Sequence, residues 1–196
     1  MEKLLFINAC MRGPDLSRTL RLCRVFLEAY KAQGHAFSLE ELDLAKEMLA
    51  AYDIDALIRR DALIDAGKTD DPIFDHARQL ANADKILVGA PYWDLSFPAA
   101  LKNYVEHVSV RNITFRNTAT GVLGLCKAKK LLYITTAGGY IEDLDLGSDY
   151  FQGLCKFYGI TQYESLRTEG LDIETNDPEA IMSAAEDAVR LAARQF

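Results

Sequence analysis

The chain has 196 residues and a formal net charge of −7, with 49% apolar and 26% charged residues. That is the balance of a soluble globular protein, long enough to bury one sizeable core and expected to form a single domain over residues 1–196. The acidic surplus argues against nonspecific nucleic-acid binding, which needs a cationic surface. No apolar stretch approaches the roughly 18 residues that cross a bilayer, so neither nucleic acid nor membrane is expected as a partner.

Leu4-Leu5-Phe6-Ile7 opens the chain as a short unbroken apolar run, the pattern of a strand buried on both faces. With Cys10 behind it the run could suggest a secreted lipoprotein. Four apolar residues fall short of the roughly 7 to 15 of a signal-peptide core, however, and a cytoplasmic protein is expected. After Ser17 the period changes: Arg21, Arg24, Glu28 and Lys31 trace one face while Leu22, Phe26 and Ala29 trace the other, which predicts an amphipathic helix. Residues 37–44 alternate weakly, as suits a strand near a sheet edge. Residues 45–68 are helical in composition without clear breaks, and 72–80 predict another helix.

Ile86-Leu87-Val88-Gly89-Ala90 is the second doubly buried run. A helix follows Pro98, with Leu101, Tyr104, Val105 and Val108 set against Lys102 and Glu106. Leu131-Leu132-Tyr133-Ile134-Thr135 is the third run, and residues 160–166 form a weaker, edge-like strand. Asp177 with Pro178 predicts a helix start, with Ile181, Ala184, Ala188 and Leu191 as its buried stripe. Strands alternating with helices give an α/β protein of parallel βαβ units. Five strands at this spacing suit the flavodoxin-like order 2-1-3-4-5 with helices on both faces. Ligands in that arrangement bind beyond the carboxyl ends of the strands, which directs attention to the segments after Cys10, Ala90 and Thr135.

The four cysteines (Cys10, Cys23, Cys126, Cys155) are scattered and form no CxxC, so no zinc, thioredoxin or other metal motif is present and reduced thiols are expected. After the first strand, Cys10 to Thr19 runs into a helix near Ser17, whose free N–H groups and dipole face the strand tip. Ser17 and Thr19 with Arg12 or Arg18 would complete a phosphate cradle; a plain turn capped by Asp15 or Ser17 reads the segment equally well. The loop is neither GxGxxG nor Walker A. A tyrosine phosphatase of the low-molecular-weight type would need Arg six residues after Cys10; Leu16 stands there and the Arg18-Thr19 pair is two residues too far, so Cys10 reads as packing rather than nucleophile.

After the third strand comes Pro91-Tyr92-Trp93-Asp94-Leu95-Ser96-Phe97-Pro98, with the only Trp of the chain. Aromatic residues there can flank a flat ring, or can cover the end of the core. After the fourth strand, Gly138 and Gly139 allow close backbone approach to a ligand, or form a flexible turn. The three segments meet at one edge of one sheet, which makes them stronger together than apart.

On these residues, and on Pro98-Ala99-Ala100-Leu101-Lys102-Asn103-Tyr104, Ile113-Thr114-Phe115-Arg116 and residues 121–130, the chain resembles the flavodoxin-like NAD(P)H:quinone reductases and FMN-dependent NADH azoreductases nearly end to end. The resemblance implies a noncovalently held FMN whose phosphate meets Ser17, Arg18 and Thr19, with Arg12 beside them. It implies further that Pro91, Tyr92, Trp93, Asp94 and Leu95 line the flavin ring and that Thr136, Gly138 and Gly139 meet its other side. Two departures stand out: Cys10 replaces a frequent Ser and Asp94 a frequent Asn. The implied activity is hydride transfer from NADH or NADPH through the flavin to a quinone, azo compound or similar electrophile, both substrates using one flavin face in turn. No proton donor is evident; Tyr140 is a candidate by location and reads equally as a substrate wall. The resembling family is homodimeric with its site at the subunit interface, and Phe115, Tyr150 and Phe151 are candidates for the contact patch. The alternative is a flavodoxin-like electron carrier or interaction module without enzymatic turnover.

Overall fold

The computed structural model describes residues 1–47 and 49–196. Five parallel strands, β1 (Glu2–Asn8), β2 (Phe37–Asp43), β3 (Lys85–Gly89), β6 (Lys130–Thr136) and β7 (Gln162–Thr168), form a sheet in the order β2-β1-β3-β6-β7. Taken in the order in which the sheet strands leave the chain, this is the expected 2-1-3-4-5. A two-stranded antiparallel hairpin, β4 (Phe115–Thr118) with β5 (Gly121–Gly124), stands outside the sheet and accounts for the higher numbering. The helices are α1 (Arg18–Lys31), α2 (Leu44–Glu47), α3 (Ile54–Asp65), α4 (Asp75–Asn82), α5 (Ala99–Val108), α6 (Leu146–Tyr158) and α7 (Pro178–Gln195), with a 3-10 turn at Pro72–Phe74.

Alternation along the central strands assigns the two cores. Leu4 and Phe6 of β1, Leu87 of β3, and Leu132 and Ile134 of β6 face α1 and α7, where Phe26, Tyr30, Met182, Val189 and Phe196 close the layer. Leu5, Ile7, Ile86, Val88, Leu131 and Tyr133 face the other way, against α4, α5, α6 and Ile64 of α3. Burial on both faces is why these strands read as unbroken apolar runs. The partly alternating strands β2 and β7 occupy the two edges.

Register fixes where the loops emerge. Asn8 is level with Gly89, and Gly89 with Ile134, so the chain leaves β1, β3 and β6 at one edge.

Several local expectations are corrected. The region 45–68 resolves into α2 and α3, the latter capped by Asp53, whose side chain accepts from the Ala56 N–H at 2.8 Å. The expected helix over 72–80 begins as a 3-10 turn and becomes α-helical only from Asp75. The buried stripe of α7 is Met182, Val189, Ala192 and Ala193, with Ile181 and Ala185 packed beside it; Ala184 and Ala188 are exposed, and so is Leu191 at 56%. Docking on α1 selects the stripe rotated by one position, which puts the large Met182 and Val189 inward. Phe151 is 3% exposed, in the α6-side core, which removes it from any contact patch; Phe115 and Tyr150 are half-buried.

Candidate functional site

Helix α1 starts at the tip of β1. Ser17 is its N-cap, with extended backbone and a side chain that accepts the Leu20 N–H at 3.1 Å. Arg18 and Thr19 are the first two helical residues, and their N–H groups have no intrahelical carbonyl to reach. They bond no other group among the described residues. The helix therefore presents two donors and the positive end of its dipole to the loop edge. Beneath them, the Thr19 hydroxyl lies 2.7 Å from that of Thr136 at the end of β6, both groups being buried.

The loop after β3 approaches from the side. The Tyr92 N–H bonds to the Thr136 carbonyl at 3.0 Å, and the Tyr92 hydroxyl donates to the Leu144 carbonyl at 3.0 Å. Trp93 and Ser96 then exchange N–H···O bonds of 3.2 and 2.8 Å around Asp94 and Leu95, whose φ angles are +50° and +66°. Two consecutive left-handed residues make this a turn of the I′ type, whose natural occupants are Asn and Gly. For Leu95 the left-handed conformation costs about 1–2 kcal/mol, and such strain collects at ligand clamps.

The third side comes from the ends of β6 and β7, which zip together: Ala137 N–H to the Thr168 carbonyl at 2.8 Å, Gly170 to Gly139 at 2.9 Å, and Asp172 to Gly138 at 2.8 Å. A Cβ on Gly138 would fall 2.2 Å from Asp172 Oδ2. The glycine lets the Asp172 carboxylate come close, and a side chain there would displace that carboxylate. Asp172 Oδ1 in turn bonds Arg18 Nη1 at 2.7 Å across the opening.

Together these segments enclose a cavity of about 290 Å³. Arg12, Ser17, Arg18, Thr19, Pro91, Tyr92, Trp93, Thr136 and Gly138 line it, so nine of the expected residues are brought together. Asp94, Leu95 and Gly139 stand outside its lining, and Tyr140 is 61% exposed, its hydroxyl accepting a bond from Asn176 Nδ2 at 3.3 Å. Sequence reasoning missed Met11, Leu16, Ala137, Leu171 and Asp172. Gly170, with φ +75° just past β7, was the one local sign that a fourth loop turns back onto this edge.

Cys10 is buried against the Gly89 carbonyl, 3.5 Å from Sγ, and lines a separate neighbouring cavity. Burial pushes its thiol up to about 12, so it is protonated at neutral pH and is no nucleophile. A larger open groove of about 480 Å³ runs between β1, β2 and α4, away from the strand tips. Gln79 Nε2 donates to Glu40 and Arg78 pairs with Asp75 along it, while Gln79 Oε1 is buried without a partner; these groups come from the flanks of β2 and α4 rather than from the strand tips. The smaller cavity is where the helix N–H groups, hydroxyls, arginines and aromatic turn meet.

The sequence model of a family described by its flavodoxin-like fold matches residues 2–192. A protein of Clostridium acetobutylicum named FMN-dependent NADH:quinone oxidoreductase 2 is 34% identical over 201 residues, covering all of both chains. A namesake from Clostridium perfringens is 34% identical over 195 residues, 98% of each chain. The crystal structure of an azoreductase from Bacillus anthracis superposes with a TM-score of 0.88 at 27% identity, covering 100% of both chains.

Proposed function

The chain belongs to the family with the flavodoxin-like fold, and from that premise we propose that it acts as one FMN-binding domain, an FMN-dependent NADH oxidoreductase that reduces quinones or azo compounds. The observation that carries this reading is the meeting of three loops on one cavity: an uncapped pair of helix N–H groups with two arginines and three hydroxyls, beside an aromatic turn and a glycine. That donor set fits the group. An anionic phosphate suits Ser17, Arg18, Thr19 and Arg12, while Tyr92 and Trp93 offer apolar faces to a flat ring.

When bound, FMN supplies the hydride-accepting and hydride-donating chemistry. The protein holds and orients it. Ser17 keeps one O–H free after accepting from Leu20, Gly138, whose missing side chain makes room for Asp172, turns its backbone to the ring, and the I′ turn fixes Trp93. Asp94 and Leu95 have N–H groups without a partner among the described residues, and we assign these, rather than their side chains, to the polar edge of the ring. Gly139, behind Gly138, contributes backbone only.

One opening serves donor and acceptor, so the oxidised nucleotide leaves before the acceptor enters. We infer further that two copies of the chain close the opening between them. The support is the set of exposed apolar side chains on the segments that follow β1, β3 and β6: Met11, Leu16, Leu95, Tyr140, Leu144 and, at the start of α6, Leu146. A cytoplasmic setting is supported by four unpaired thiols; no helix among the described residues is long and apolar enough to cross a membrane.

The test is direct. The full chain incubated with excess FMN and passed through gel filtration should retain flavin absorbance, and NADH should bleach it without oxygen. Absence of flavin overturns the reading; bound flavin that NADH leaves oxidised identifies an electron carrier instead.

A further inference from the structure

Asp172 occupies an unexpected place for an acidic residue. Its Oδ1 is 2.7 Å from Arg18 Nη1, its Oδ2 lies 2.2 Å from where a side chain on Gly138 would begin, and its N–H is tied to the Gly138 carbonyl at 2.8 Å. The carboxylate is thus held across the cavity between the two groups that the proposed function assigns to opposite ends of the flavin. We propose that Asp172 is a specificity-determining residue that competes with the flavin phosphate for Arg18 and so sets how tightly phosphorylated flavin is retained. This rests on the reading that the phosphate is held at Ser17, Arg18 and Thr19.

The competition follows from charge and exposure. Arg18 and Asp172 side chains are 41% and 66% exposed, and an ion pair so open to water is weak. A phosphate bound at the start of α1 offers a guanidinium more charge and more acceptor oxygens than one carboxylate does. Binding therefore draws Arg18 away from Asp172 or shares it, and FMN bears the cost of loosening that ion pair. An unphosphorylated flavin makes no claim on the guanidinium. Asp172 consequently lowers affinity for FMN and leaves affinity for riboflavin alone, which makes the cofactor more exchangeable than the donor set would suggest.

The experiment titrates the full, flavin-free chain with FMN and with riboflavin at low salt, following flavin fluorescence. The unmodified chain should prefer FMN by at least about tenfold; equal affinities would remove the phosphate reading itself. In Asp172→Asn, FMN should bind about three- to fivefold tighter, the range an exposed ion pair allows, with riboflavin unchanged within twofold. In an Arg18→Gln background the same Asp172→Asn change should alter FMN binding by less than twofold, because the coupling runs through the guanidinium. With preference for FMN present, an unchanged or weaker FMN complex in Asp172→Asn overturns the proposal. An equal gain in the Arg18→Gln background also overturns it, since the carboxylate would then act on the phosphate directly. Asp172→Ser, at this exposed position, provides a second substitution should the amide find new partners.

Discussion

Thr19 and Thr136, 117 positions apart in sequence, join hydroxyls at 2.7 Å under the cavity floor. In a bonded pair of hydroxyls one O–H is used and the other remains free to donate, so the pair keeps a donor for a ligand while satisfying itself. Thr19→Val removes that arrangement and leaves the buried Thr136 oxygen unpartnered. Leaving a buried hydroxyl unpaired costs about 1–3 kcal/mol of stability. A hydrogen bond to a charged group contributes about 1.5–3 kcal/mol, so FMN should also weaken by at least about tenfold. Urea denaturation and flavin titration measure the two effects. Thr19→Ser, which keeps the hydroxyl, should restore most of both; a Thr19→Val protein with unaltered FMN affinity would place the phosphate elsewhere.

Cys10 should be dispensable for turnover. With its thiol pushed up to about 12, it holds its proton throughout the working range. Cys10→Ser should keep flavin reduction by NADH and add a hydroxyl where the resembling family carries one. Loss of activity with normal folding and flavin content would revive a thiol mechanism.

The same burial has a consequence for alkaline stability. Cys10 and Cys155 are both raised by desolvation from 9.0 to about 12. The unfolded chain therefore releases these protons first, and above about pH 9 it binds fewer than the folded chain does. Stability should be level below pH 9 and fall as pH rises toward 12, by up to about 1.4 kcal/mol per pH unit for each thiol. Buried tyrosines such as Tyr133, raised by the same desolvation, add to the fall in the same direction. Denaturation midpoints at pH 8, 9 and 10 should show the downturn, and a double Cys10→Ser, Cys155→Ala variant should make it shallower, the remaining fall coming from Cys23 and Cys126, raised by the same burial, and from the tyrosines. A midpoint that rises over that range would contradict the sign.

Two glycines separate folding from binding. A Cβ on Gly124 would sit 2.0 Å from the Tyr158 backbone carbon, where β5 meets the end of α6, while one on Gly138 meets a movable carboxylate. Gly124→Ala should destabilise by about 1–3 kcal/mol, in line with overpacking against fixed backbone. Gly138→Ala should cost much less stability and act on flavin binding. Thermal melts with and without FMN distinguish the two, and equal melting losses in both variants would refute the distinction.

How far the sequence discloses this structure depends on what kind of force places each part. The strands at 4–7, 86–90 and 131–135 are legible because burial on both faces leaves no other composition available to them. Helix α6 is not: Gly147 and Gly153 interrupt its propensity, and its buried stripe of Phe151, Cys155 and Tyr158 is long aromatic packing on β6 rather than local patterning. The hairpin β4/β5 escapes because Phe115-Arg116-Asn117-Thr118 and Gly121-Val122-Leu123-Gly124 carry little strand signal, and their pairing is anchored to α6. Of the site, the α1 start and the aromatic loop could be read from residue type at strand ends. The left-handed backbone of Leu95 could not, since nothing in Trp93-Asp94-Leu95-Ser96 encodes a positive φ. Asp172 belongs to a loop distant from the topological switch point and reaches the cavity through that loop's backbone bonds to Ala137 and Gly138, just past β6.

Tyr92 and Trp93 form a thin cover for a flavin ring, and Leu16 and Leu144 beside them are 73% and 50% exposed. Large apolar side chains exposed beside a cavity mark a candidate interaction surface, and a two-fold, self-complementary contact would bury them on both copies at once. Sedimentation should show a dimer at assay concentration. Leu16→Glu with Leu144→Glu should dissociate it, because each charge would be buried twice over, and should reduce turnover while leaving the fold intact by circular dichroism. If one opening then serves both substrates, initial-rate plots against NADH at several acceptor concentrations should be parallel lines. Intersecting lines would require a ternary complex and a separate acceptor site. Full activity in a monomer would show that one chain closes its own site, and the exposed apolar side chains would have to meet the acceptor instead of a second copy.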